Sequence, residues 1–177
     1  MHTLVRFAAQ YLIYLLVVAA GVVWLVGSRR DKAVWAAEGV LGLIFVGIGL
    51  LLAGHLHSDP RPFVHDPNST PLFPHAADNG FPSDHSAAAG LLAVLVLHWR
   101  RLVGLAVAAG AAVVAWARVA AHVHHAQDVL AGLVLGAVAA GLAIWLIGRV
   151  LAVLIRRGML PGYRGRTTAD RQGRTAY

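Results

Sequence analysis

Val129–Gly148 is a run of twenty residues without one charged side chain. A run of that length can cross the hydrocarbon core of a bilayer as one helix. Four more apolar stretches share the pattern: roughly Leu4–Val26, Ala33–Leu56, Ser86–Trp99 and Leu102–Ala117. The third is short, and extending it to Ser83–Arg101 gives a helix of nearly adequate length. Lipid offers the backbone no hydrogen-bond partners, so such runs must satisfy their own amides as helices. The fold class that follows is all-α: a polytopic membrane helical bundle of about five transmembrane helices. Composition agrees, with 58% hydrophobic and 13% charged residues against about 25% charged in soluble domains. The first stretch is too long for a signal-peptide core and reads as a retained span. The absence of cysteine excludes disulfides, thiolate zinc sites and a cysteine nucleophile.

The segment between the second and third stretches is of another kind. His55 to His85 holds six of the seven prolines, four aspartates and five histidines, which marks a functional loop. Orientation follows from the positive charges. Arg29, Arg30 and Lys32 follow the first span, and Arg100 and Arg101 the third. Arg149, Arg156, Arg157, Arg164, Arg166, Arg171 and Arg174 follow the fifth, so twelve of the fifteen basic residues share one side. The positive-inside rule makes that side cytoplasmic, and the His55–His85 loop then faces outward at the cell membrane. Residues 1–155 read as a membrane-embedded domain and residues 156–177 as a basic cytoplasmic tail. That tail is a topology determinant touching anionic lipid. It carries no aromatic interleaving that would suit nucleic acid. Gly132 and Gly136, continued by Ala140, predict close packing of the fifth span on a neighbouring helix. Nothing in the sequence reports the oligomeric state.

Three clusters lie at the outward ends of the spans: Asp59-Pro60-Arg61-Pro62-Phe63, Phe81-Pro82-Ser83-Asp84-His85-Ser86, and Ala117-Arg118 followed by His124 and Asp128. Arg61 and Arg118 offer planar forks that suit phosphate oxygens. Ser83 stands where it can cap an apolar helix, and the amides from Asp84 onward form an anion-binding helix N-terminus. His124 and Asp128 are four apart and share a face if their segment is helical. A carboxylate on one imidazole nitrogen fixes the tautomer and leaves the other as a nucleophile. His85, from another helix, is placed to protonate a leaving oxygen.

Together the three clusters resemble the signature of the type 2 phosphatidic acid phosphatase superfamily, which also includes vanadium haloperoxidases. Within it the chain is most similar to the bacitracin-resistance type of undecaprenyl-diphosphatase, through Asp59–Phe63, Leu72-Phe73-Pro74-His75-Ala76-Ala77-Asp78-Asn79-Gly80 and Phe81–His85. The resemblance implies a membrane hydrolase that removes the terminal phosphate of an undecaprenyl or decaprenyl diphosphate. It implies His124 as the nucleophile that becomes a phosphohistidine, Asp128 as its partner and His85 as the acid. Arg61, Ser83, Asp84 (through its backbone N–H) and Arg118 would bind phosphoryl oxygens, with no metal or other cofactor. A phosphatidic acid or phosphatidylglycerophosphate phosphatase is the alternative substrate class.

Three departures stand out. Gly54 occupies the place of the signature Lys, and His55 or His57 is a candidate substitute. Asp84 replaces a Gly, so its carboxylate should turn from phosphate or hold an Arg. Ala117 replaces a Ser. Two readings compete: a zinc site from His122, His124, His125, Asp128 and His85, disfavoured by two nearby arginines, and a transporter or lipid-binding scaffold without turnover.

Overall fold

The computed structural model describes residues 2–66 and 68–160. Their helices are α1 (His2–Leu25), α2 (Arg29–Leu56), α3 (Pro62–His65), α4 (Asp84–Trp99), α5 (Arg101–Ala120) and α6 (Ala126–Arg156), with no strand among the described residues. Four of these, α1, α2, α5 and α6, are long and apolar enough to cross a membrane. The chain is thus an all-helical, multi-pass membrane protein, as its apolar runs predict. Side chains such as Tyr14, Leu15, Leu43, Leu51, Val134 and Val138 stand exposed, which suits a lipid-facing surface.

The third apolar stretch departs from expectation. Helix α4 has 16 residues, about 24 Å at the helical rise, shorter than the four long apolar helices. Its ends explain the length. Ser83 caps the start, its Oγ accepting from the Ser86 amide, and Arg100 is extended and stops the last turn. The helix sits inside the bundle, packed on α5, α1 and α2, with half of its residues buried.

Chain geometry places the caps. Helix α2 begins at Arg29, before its apolar run, because Ser28 and Asp31 form a reciprocal capping box that satisfies two N-terminal amides. Glu38, 3% exposed on α2, accepts a 2.8 Å bond from Trp99 Nε1. A carboxyl group at this depth is costly without a donor, so the pair ties α2 to the end of α4.

The chain divides into compact units Met1–Ile144 and Trp145–Tyr177. In the second, the described residues finish α6 at Arg156, and the Arg149 guanidinium lies 5.5 Å over the Trp145 ring. Arg164, Arg166, Arg171 and Arg174 of the basic tail lie outside the described residues.

In the first unit the small-residue stripe of α6 packs within the chain, against α4. A Cβ on Gly132 would collide with the Ser83 carbonyl oxygen, and one on Gly136 with the Ala87 carbonyl oxygen. This approach lets the Ser83 amide donate to the Asp128 carbonyl at 3.0 Å, joining the second and third sequence clusters. Gly141, farther along α6, has open space around it. Gly136→Leu should therefore cost about 1–3 kcal/mol or more through overpacking, seen as a lowered Tm in detergent. Gly141→Leu should leave Tm nearly unchanged; equal effects at both positions would contradict this packing.

Candidate active site

The site forms at one end of the first unit. The start of α1, the end of α2, the 57–83 loop, the start of α4, the end of α5 and the start of α6 meet there. The loop is tied down locally. Asn79 Oδ1 accepts from the Asp59 and Phe81 amides, while its Nδ2 donates to the Gly54 and His57 carbonyls at 3.1 Å. Phe73 is buried with Val5, Ala9, Ala117, Ala121 and Val123, an apolar anchor worth about 1.5–3 kcal/mol. The Leu72 amide donates to the Ala121 carbonyl.

At the centre is His124, 2% exposed, in the turn between α5 and α6. Its Nε2 is 3.1 Å from Arg61 Nη1 and 3.1 Å from Arg118 Nη2. Guanidinium nitrogens only donate, so Nε2 accepts and the ring proton sits on Nδ1. That nitrogen faces Asp128 Oδ2 at 3.3 Å. The tautomer follows from its neighbours: a bare lone pair points between two cations, and a carboxylate holds the opposite side.

Each arginine is held in turn. Arg61 donates to the Val123 carbonyl at 2.8 Å and pairs through Nε with Asp78 at 2.7 Å. Arg118 donates to the Ala9 carbonyl at 3.4 Å, meets His75 Nε2 at 2.9 Å and lies over the Phe73 ring. Asp128 also accepts from the His125 amide at 2.8 Å. The spacing of four therefore brings His124 and Asp128 together although α6 begins only at Ala126.

Burial pushes the His124 imidazole below its ordinary value, and the Arg118 and Arg61 charges push the same way against Asp128. The ring is neutral at neutral pH. Ser83 is fully buried and caps α4. Asp84 does not hold an arginine by a hydrogen bond; its Oδ1 takes the His85 amide at 2.7 Å and His85 Nδ1 at 3.0 Å. The structure thus joins Arg61, Arg118, His124 and Asp128 in one network, with Ser83 bonded to its edge. His85 and Asp84 form a second, more exposed pair.

Neither candidate for the missing cation reaches the arginines. The His57 ring packs edge-on against Phe81 at 4.6 Å, and His55 is exposed. Of the three neighbouring histidines, His122 is exposed and takes φ 58°, and His125 Nδ1 bonds Asp59 Oδ2 at 3.0 Å.

Residues 34–152 match the PAP2 superfamily. The chain belongs to the PAP2 superfamily. It is 30% identical over 145 residues to the bacitracin transport permease protein BcrC of Bacillus licheniformis, covering 82% of this chain and 71% of that one. It is 30% identical over 136 residues to the undecaprenyl-diphosphatase BcrC of Bacillus subtilis (strain 168), covering 76% and 68%. The crystal structure of Aquifex aeolicus LpxE shares the fold, with TM-score 0.61 and 19% identity over 80% of this chain and 93% of that one. The PAP2 assignment makes the chain an enzyme of the membrane phosphatase class.

The candidate site also includes residues that motif spacing does not single out: His75 and Asp78 on the arginines, and Asp59 bonded to His125 and Gln127. Among the described residues, Asp59, His125 and Asp128 have ligand-type atoms within 4.8 Å of one another. Protein donors already occupy Oδ2 of both carboxylates, so the trio is hydrogen-bonded within itself. It is also not the histidine set of the zinc reading.

Removing one cation should ease protonation of His124. In Arg118→Gln the His124 Cε1 resonance should titrate at higher pH than in the wild type, whose midpoint lies below the ordinary 6.5. An unchanged or lower midpoint in the variant would contradict the two-guanidinium geometry.

Proposed function

We propose that this protein hydrolyses the terminal phosphate of a polyprenyl diphosphate, undecaprenyl or decaprenyl, at the outer face of the cytoplasmic membrane. The observation that carries the reading is the His124 lone pair lying 3.1 Å from both Arg61 and Arg118 while Asp128 holds the other nitrogen. Two buried, donor-only cations around a nucleophilic nitrogen favour an incoming phosphoryl group. A binding scaffold or permease has no need of a nucleophile so held.

In the first step His124 Nε2 attacks the terminal phosphorus. An N–P bond forms, the bond to the bridging oxygen breaks, and its electron pair leaves on the lipid monophosphate. His85, oriented by Asp84, gives that oxygen a proton. Asp128 stabilises the positive ring of the phosphohistidine, and Arg61, Arg118, the Ser83 hydroxyl and the Asp84 amide hold the phosphoryl oxygens. Water then attacks phosphorus, its proton passes to the neutral His85, the N–P bond breaks with its electron pair returning to His124 Nε2, and phosphate leaves. The chain's own residues carry every charge in this sequence, which is why the reading requires no metal.

Two features support a lipid chain and an outward site. An apolar groove of about 440 Å³ runs between α2 and α6, lined by Phe45, Gly49, Ala53, Val134 and Leu135, and reaches Phe81 and Pro82 beside Ser83. The Arg29–Lys32 and Arg100–Arg101 turns lie at the bundle end opposite the site, where the positive-inside rule places the cytoplasm. The relative named undecaprenyl-diphosphatase favours the prenyl substrate over phosphatidic acid or phosphatidylglycerophosphate.

Purified protein in excess EDTA should release inorganic phosphate from a polyprenyl diphosphate, and His124→Ala should lose about 10³-fold or more of that rate. Intact cells should give the same release outside. Faster turnover of phosphatidic acid would assign the alternative substrate, and activity only with added metal would overturn the mechanism.

A further inference from the structure

His75 is a half-buried residue at the rim of the site to which the mechanism above gives no task. Its Nε2 lies 2.9 Å from Arg118 Nη2, the nitrogen that is also 3.1 Å from the His124 nucleophile. The two imidazoles stand 6.3 Å apart and nearly perpendicular. His75 therefore borders the same cradle as the two guanidiniums. Its backbone is anchored by the neighbouring Phe73.

The cradle is one cation short of the superfamily signature, because Gly54 stands where that signature has Lys. The structure leaves little room there. A Cβ at Gly54 would lie 3.2 Å from the Phe81 carbonyl oxygen, and the Gly54 carbonyl is capped by Asn79. His55 and His57 do not reach the arginines, whereas His75 does.

We propose that His75 is the third cation of the phosphate cradle, formed only when phosphate is bound. Without an anion, Arg118 must donate to Nε2, so His75 is neutral with its proton on Nδ1. The groups facing it are Arg61 beside α3, Arg118 on α5, His124 in the α5–α6 turn and Asp78 in its own loop. Burial, then Arg61, Arg118 and His124, lower its pKa to about 4, opposed by Asp78. A phosphoryl group between the guanidiniums reverses that field and draws Arg118 Nη2 to its own oxygens. Nε2 then takes one proton from solvent and donates to a phosphoryl oxygen, and the proton returns when phosphate leaves. The inference rests on the site being a phosphoryl site, and is independent of which lipid it serves.

The test uses inorganic phosphate on the full chain in detergent, with ¹³Cε1-labelled histidine. The His75 resonance is assigned by its loss in either His75→Gln or His75→Lys. It should titrate near pH 4 without phosphate, and near or above about 6.5 with saturating phosphate. His75→Gln should bind phosphate about tenfold more weakly at pH 6, with the difference fading above about pH 8. His75→Lys should restore affinity and remove this pH dependence. A His75 resonance that stays neutral with phosphate at pH 6, or a loss in His75→Gln that is equal at every pH, would overturn the proposal. If phosphate protonates His75 but no polyprenyl diphosphate is hydrolysed, the substrate assignment fails and this inference stands.

Discussion

Two guanidiniums share one imidazole nitrogen among buried side chains, and the rest of the site is arranged around that juxtaposition. Arg61 and Arg118 are 6% and 2% exposed, and burying like charges side by side is unfavourable unless each is neutralised or hydrogen-bonded. The protein answers with backbone carbonyls from Ala9 and Val123, with Asp78 on one arginine and with a neutral histidine on the other. Both guanidiniums converge on His124 Nε2. On the proposed reading, a phosphoryl group would relieve the repulsion that the protein only partly offsets, so affinity for phosphate and a reactive lone pair would arise from one arrangement.

That arrangement depends on packing some distance from it. Asp128 meets Ser83 only because α6 presses its glycines against the carbonyls of α4, and side chains there would hold the two helices apart. The long loop is likewise no loose connector. Asn79 bridges both of its ends through four hydrogen bonds, Phe73 plugs it into the apolar end of α1 and α5, and His75 and Asp78 are delivered to separate arginines.

Much of this was legible in the chain. Apolar runs located the helices because lipid leaves the backbone no other choice. The ends were less legible because caps decide them. Ser28 and Asp31 start α2 within the charged turn, Ser83 and Arg100 keep α4 short, and α6 continues past Gly148 to Arg156. Arg118, His124 and Asp128 were readable as a unit because they are close in sequence. His75 on Arg118, Asp78 on Arg61 and His125 on Asp59 are separated by 43, 17 and 66 residues. Such pairs arise from tertiary structure, and a histidine or aspartate within a proline-rich loop does not announce its partner. The same reason explains why His55 and His57, near the vacant Lys position in sequence, are not the groups that reach the arginines.

The most direct test of the central claim is to catch the bond that the proposed mechanism forms at His124. Wild-type protein mixed briefly with polyprenyl diphosphate labelled in its terminal phosphate, then quenched in base, should carry an acid-labile, base-stable phosphoryl group. Peptide mapping should place it on His124. Label located on His122 or His125 within the labelled peptide, or turnover at full rate with no label trapped at any mixing time, would contradict the account.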